Sequence, residues 1–194
     1  MKKLILAAAM FVALGTPGAH ANPDVWVKAA MTYRFDDGKI TAVTYDWRFD
    51  EYFSSRTIKT YDADRSGALE AKEVEKLRGE AFDPLKKFGY YVHIWAAGEK
   101  RENLKIKDFA ARIDGKMLVY RFTVALTPPA DPGAGDIVAS LYDKAIYVDF
   151  RFIKKNFLLV EGAMRPGCKF QIKRGRGALS GHRQPVTLKC GGST

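Results

Sequence analysis

Two stretches near the start of the chain alternate strictly between core-type and solvent-type residues, and this does most to limit what the sequence can fold into. Val25, Val27, Ala29, Met31, Tyr33 and Phe35 alternate with Trp26, Lys28, Ala30, Thr32 and Arg34. After Asp36-Asp37-Gly38 the chain resumes from Ile40 to Phe49 with Val43, Tyr45, Trp47 and Phe49 on one face. A period of two sends successive side chains to opposite faces, so both stretches read as strands. The Asp-Gly at the bend supplies the positive φ of a tight hairpin.

From Asp50 to Phe88 the alternation gives way to helical spacing at Val74, Leu77, Ala81 and Leu85, with charged residues between. Asp83-Pro84 can end one helix and start the next, because proline suits a first helical turn and breaks an interior. Strand patterning then returns at Tyr90–Ala97, Leu104–Ile113 and Met117–Leu126, the last two joined by an Asp114-Gly115 turn. A Pro- and Gly-dense loop is expected over Pro128–Gly135, followed by strands near Ile137–Leu141, Ala145–Phe152, Phe157–Gly162 and Cys168–Lys173. With 47% apolar and 28% charged residues in 194, the chain can bury one core and is too hydrophobic for disorder. The expected class is α+β: a single, mainly antiparallel and sandwich-like β domain over residues 22–175, with a helix-loop-helix insertion at 49–88. Spacing alone leaves open whether the strands close as a sandwich or pack as one sheet on the helices.

Within the insertion lies DADRSGALEAKE, Asp62 to Glu73. Asp occupies loop positions 1 and 3, Ser 5, Gly 6, and Glu 9 and 12, which is the pattern of an EF-hand calcium loop. Calcium is a hard ion that takes six to eight oxygens at roughly 2.3–2.6 Å. Asp62, Asp64 and Ser66 would supply side-chain oxygens, Ala68 its carbonyl, Glu70 a direct or water-mediated contact, and Glu73 a bidentate carboxylate. Gly67 permits the sharp turn, while Leu69 points to the core. Phe49–Thr60 is expected as the entering helix, with Phe53 and Ile58 inward, and Ala71–Phe82 as the exiting one. A solitary loop flanked by Lys59, Arg65 and Lys72 is expected to bind weakly, on the order of 10⁻⁴–10⁻³ M. Met31, Met117 and Met164 lie outside the insertion, so bracing rather than a sensor's Met-lined groove is the expected role.

Residues 1–21 carry two lysines, a short apolar run and a terminal Ala19-His20-Ala21, the layout of a cleaved secretory signal peptide. In the oxidising compartment this implies, Cys168 and Cys190 are expected to pair, adding roughly 3 kcal/mol in the chain-entropy model, although two free thiols remain the alternative. The formal charge is +10. No acidic residue follows Gly162, whereas Arg165, Lys169, Lys173, Arg174, Arg176, Arg183 and Lys189 are all basic. Residues 176–194 therefore read as a basic tail tied back by the disulfide. It either aids solubility or contacts an anionic envelope surface. Nucleic acid is a poor partner for an exported chain whose tail carries no aromatic residue.

His93 lies in an apolar strand and reads as a hydrogen-bonded histidine rather than a base; His182 lies in the tail. No nucleophile elbow, zinc-protease helix or phosphate loop is present. Asp50-Glu51, Asp143 and Asp149 are better explained as helix starts and strand faces than as acid-base pairs. The expectation is a protein that is not an enzyme.

Taken together, Asn22-Pro23-Asp24-Val25-Trp26-Val27, Trp47-Arg48-Phe49-Asp50-Glu51-Tyr52-Phe53-Ser54, the loop Asp62–Glu73 and Leu141-Tyr142-Asp143 give the mature chain a resemblance to a bacterial family. The chain resembles the periplasmic domain-of-unknown-function family numbered 1007, often described as an uncharacterised ABC-type transport component. The resemblance implies an accessory role in divalent-metal transport beside an inner-membrane metal permease or ABC transporter. Members often start with His-Pro-His, a soft-metal ligand pair, where this chain has Asn22 and Asp24 around Pro23. An amide and a carboxylate suit harder ions. Asp24 is the matching position that can still coordinate, and hence a possible second metal site. The overall expectation is a periplasmic calcium-binding protein, accessory to divalent-metal transport. The rival is a structural or envelope-interaction protein in which calcium only stabilises the fold; an unrecognised carboxylate enzyme ranks behind both.

Overall fold

The computed structural model describes residues 23–172 and 183–191. Residues 1–22, where the signal peptide is expected, His182 and the greater part of residues 176–194 lie outside the described residues. β1 (Val25–Asp36) and β2 (Lys39–Phe49) form the expected hairpin, with Asp37 and Gly38 at φ 51° and 70° in its bend. Two successive positive φ values match the right-handed twist of the flanking strands. The inward set of β1, from Val25 to Phe35, is at most 5% exposed at every alternate position.

β2 continues into β6 (Met117–Ala130), which pairs with β5 (Lys105–Asp114), all antiparallel. On its other side β1 carries two strands that run parallel to it: β8 (Val148–Phe152) along Val25–Ala29 and β9 (Leu158–Glu161) along Met31–Arg34. A second sheet has the order β10 (Cys168–Ile172), β11 (Val186–Cys190), β7 (Ile137–Leu141), β3 (Val92–Ala96) and β4 (Glu99–Lys100). The two sheets share one core: the Tyr33 ring of β1 lies 4.8 Å from the Phe170 ring of β10, and Trp47 packs on Phe122 and Phe150. The architecture is α+β, mainly antiparallel and sandwich-like.

Three expectations change. Pro128 and Pro129 belong to β6 rather than to a loop; they fall where the register with β2 jumps between Ala125 and Ala130, beyond the reach of β5. Proline is tolerated there because no ladder N–H is required of it. The C-terminal segment is more than a tail, because β11 lies between β10 and β7 and buries Val186 and Leu188 completely. Cys168 and Cys190 are cross-strand partners joined by a disulfide.

The third change concerns the helices. α1 spans Glu51–Tyr61 and α2 only Ala71–Leu77, after which the chain makes a π turn over Arg78–Phe82 and a 3-10 segment over Asp83–Tyr91, with Pro84 in its first turn. A π turn puts residues five apart on one face. Phe82, five after Leu77, is therefore the fully buried residue, where uninterrupted α spacing pointed to Ala81. Phe82 contacts the rings of Tyr90, Phe109, Tyr120 and Phe122.

Candidate metal centre

Asp50 starts the construction. Its carboxylate accepts the N–H of Phe53 at 2.9 Å as the N-cap of α1, and its other oxygen accepts the N–H of Trp26 at 2.9 Å. The start of β1 is thereby clamped to the start of the helix. Ser54, wholly buried, accepts the N–H of Leu118 from β6 at 2.9 Å. α1 is thus fixed at two points before it delivers Asp62, whose own N–H donates to the Ile58 carbonyl at 2.8 Å and closes the helix.

The loop from Asp62 to Glu70 bends through Arg65 at φ 58° and Gly67 at φ 81°. The second value is why glycine is needed there, since other residues are strained in the left-handed region. Asp62 is buried, and its two oxygens accept the N–H groups of Ser66 at 2.9 Å and Gly67 at 3.1 Å; Asp64 also accepts from Ser66 at 2.9 Å. Glu73 reaches back from α2 to the N–H of Ala63 at 2.6 Å and that of Glu70 at 3.1 Å. Glu70 and Glu73 form a capping box at the start of α2. The Glu70 carboxyl is pushed up, chiefly by its hydrogen bond with Glu73. The Glu73 carboxyl is held down by that bond and by the Ala63 N–H.

Carboxylate oxygens of Asp62, Asp64 and Glu73 all lie within 4.8 Å of one another. Two oxygens on opposite sides of one calcium ion stand roughly 5 Å apart, so this span fits a shared centre. Ser66, Ala68 and Glu70 are tied to one another rather than to the triad's carboxylates alone: the Ser66 hydroxyl meets the Ala68 carbonyl at 3.3 Å and Glu70 Oε1 at 2.9 Å. Leu69 packs partly buried against the core, as its loop position implies.

Asp24 does not join this triad. It lies on a cleft of about 630 Å³ beside Arg56 and Tyr147, and among the described residues no acidic cluster forms around it. Asp143 is spent on a turn, accepting the N–H groups of Ala145, Tyr147 and Val148 at 2.9, 3.0 and 3.2 Å. Asp149 is buried and takes Arg151 Nε at 2.8 Å. His93 is buried, stacks on Tyr142 with centroids 3.7 Å apart, and donates from Nε2 to the Tyr142 carbonyl at 3.1 Å. Burial pushes its pKa down, partly offset by that hydrogen bond. No helix among the described residues is long and apolar enough to cross a membrane.

The chain is 24% identical over 162 residues to a protein of Haemophilus influenzae described as uncharacterized, a match covering 80% of this chain and 73% of that one. The sequence profile of the family described as Protein of unknown function (DUF1007) matches residues 7–187. The match takes in the clamp between Trp26 and Asp50 and the acidic loop, ending at the second residue of β11, and the chain accordingly belongs to that family.

Proposed function

We propose that this is an exported, periplasmic calcium-binding protein in which an EF-hand-type loop braces two helices against the β core. The observation that carries the reading is the approach of Asp62, Asp64 and Glu73 to within 4.8 Å, on a loop held open by Gly67 between α1 and α2. An ion there ties the end of α1 to the start of α2, and Ser54 passes that constraint to β6. Binding rather than catalysis is further supported by the structural use of Asp50, Asp143 and Asp149. The disulfide and the leader support export to an oxidising compartment.

As the finer role, the protein serves as the accessory component of a divalent-metal transport system, beside an inner-membrane metal permease or ABC transporter. This part rests on the family resemblance. A purely structural role for calcium is the second reading, favoured by the isolation of Asp24 from other acidic groups. Equilibrium dialysis of the mature protein against calcium, nickel, cobalt and zinc separates the two. A transition-metal site that survives Glu73→Gln supports the transport role. Binding of calcium alone supports the structural one, and failure to retain any ion removes both.

A further inference from the structure

Apart from the acidic loop, a cavity of about 390 Å³ opens where three stretches distant in sequence converge: the end of the 3-10 segment, β4 with the residues after it, and the turn after β7. Its lining carries the cations of Lys86, Lys87, Lys100, Arg101 and Lys144 against only two acids, Glu102 and Asp143. Both acids are engaged: Glu102 meets Lys100 Nζ at 2.6 Å, and the Asp143 carboxylate is taken up by backbone N–H groups. Arg34, Arg48, Arg78, Arg121, Arg151 and Arg165 each pair with a carboxylate, whereas Arg101, like Arg56, Arg112 and Arg183, has no such partner among the described residues. The Nε of Arg101 is buried and has no hydrogen-bond partner among the described residues. Native proteins rarely leave a buried charged donor without an acceptor, and the missing partner is then a water or a bound anion; of the buried polar atoms without one among the described residues, this is the one that is charged.

The backbone adds an independent sign. Gly89, Tyr90 and Tyr91, consecutive along the cavity wall, have φ of 63°, 53° and 54°, and Asn103 on the same lining has 52°. Aromatic residues resist the left-handed region, and runs of such strain are retained mainly at binding sites. The strained run turns the chain into β3, which brings His93 to the same wall.

We propose that this cavity binds a small oxyanion carrying more than one negative charge, a phosphate or a polycarboxylate. The planar guanidinium of Arg101 matches two oxygens of such a group, while Lys144 acts as a point charge beside it. The volume suits a small ligand. The site is separate from the calcium loop and does not depend on it.

The test is a titration of the mature protein, in calcium-free buffer at about 0.15 M salt, with inorganic phosphate and separately with propane-1,2,3-tricarboxylate. One saturable site is expected for at least one of the two, weakened about tenfold or more by Arg101→Gln. The tighter of the two anions identifies the group. Lys144→Gln, at an exposed position, gives a smaller loss without disturbing the core, and serves if Arg101→Gln does not fold. Lys155→Gln, which does not line the cavity, should bind as the wild type does. Absence of a saturable site for both anions overturns the proposal. So does undiminished binding in Arg101→Gln, or in Lys144→Gln where that variant stands in, or an equal loss in Lys155→Gln.

Discussion

The hydroxyl of Ser54 on α1 accepts the backbone N–H of Leu118 on β6 at 2.9 Å, and both residues are completely buried. This one bond couples the helix that ends in Asp62 to the central β scaffold. Ser54→Ala leaves the Leu118 N–H without an acceptor in a place water does not reach, at a cost of about 1–3 kcal/mol. Urea unfolding of the variant should show a midpoint reduced accordingly with an unchanged slope. A midpoint equal to the wild type's would mean the bond does not hold the helix in place.

Calcium bound only to the folded chain stabilises it by mass action. For a dissociation constant near 10⁻³ M, about 10 mM calcium contributes roughly 1.4 kcal/mol. In a chain of this size that raises Tm by about 3–6 °C. The shift should fall to about a third or less in Glu73→Gln, whose weaker binding leaves at most roughly 0.4 kcal/mol, as thermal unfolding with and without the ion will report.

β11 makes the C-terminus part of the core, which redefines any truncation there. Removal of residues 176–194 deletes Val186 and Leu188, both fully buried, together with half of the disulfide. Loss of cooperative unfolding and of near-ultraviolet circular dichroism is expected, rather than a folded protein lacking surface affinity. Replacing both Cys168 and Cys190 by Ala is milder, costing about 2–4 kcal/mol. A truncated chain that still unfolds cooperatively would contradict the placement of β11.

His93 gives stability a pH dependence of definite sign. Its folded-state pKa is lowered by burial, so the unfolded chain, near 6.5, takes up the proton first as pH falls. The contribution is therefore complete above about pH 6.5 and is lost as pH falls through the folded-state value. Lys100, Lys144 and Arg183 act in the same direction. Stability measured by urea between about pH 7 and 5 should fall less steeply in His93→Gln than in the wild type; equal slopes would contradict the assignment.

The hairpin and the acidic loop were legible because their information is local. Alternation fixes which face of β1 and β2 is buried, and the groups that converge as Asp62, Asp64 and Glu73 come from twelve consecutive positions. The parallel pairing of β8 and β9 with β1 was not legible, since alternation says which face is inward but not which neighbour a strand chooses. β11 was hidden by brevity, its Val186 and Leu188 standing between Arg183 and Lys189 in a stretch without acidic residues. The π turn shifted the buried face from Ala81 to Phe82, and no residue spacing written for an α-helix anticipates it. The cationic cavity was invisible for the opposite reason to the loop: its residues come from three separate stretches joined only by the fold.

Calorimetric titration of calcium into the mature, calcium-free protein beside its Glu73→Gln variant tests the acidic loop most directly. One site per chain with a dissociation constant of about 10⁻⁴–10⁻³ M, weakened about tenfold or more in the variant, is the predicted result. No calcium-dependent heat, or a heat identical in the two proteins, would contradict it.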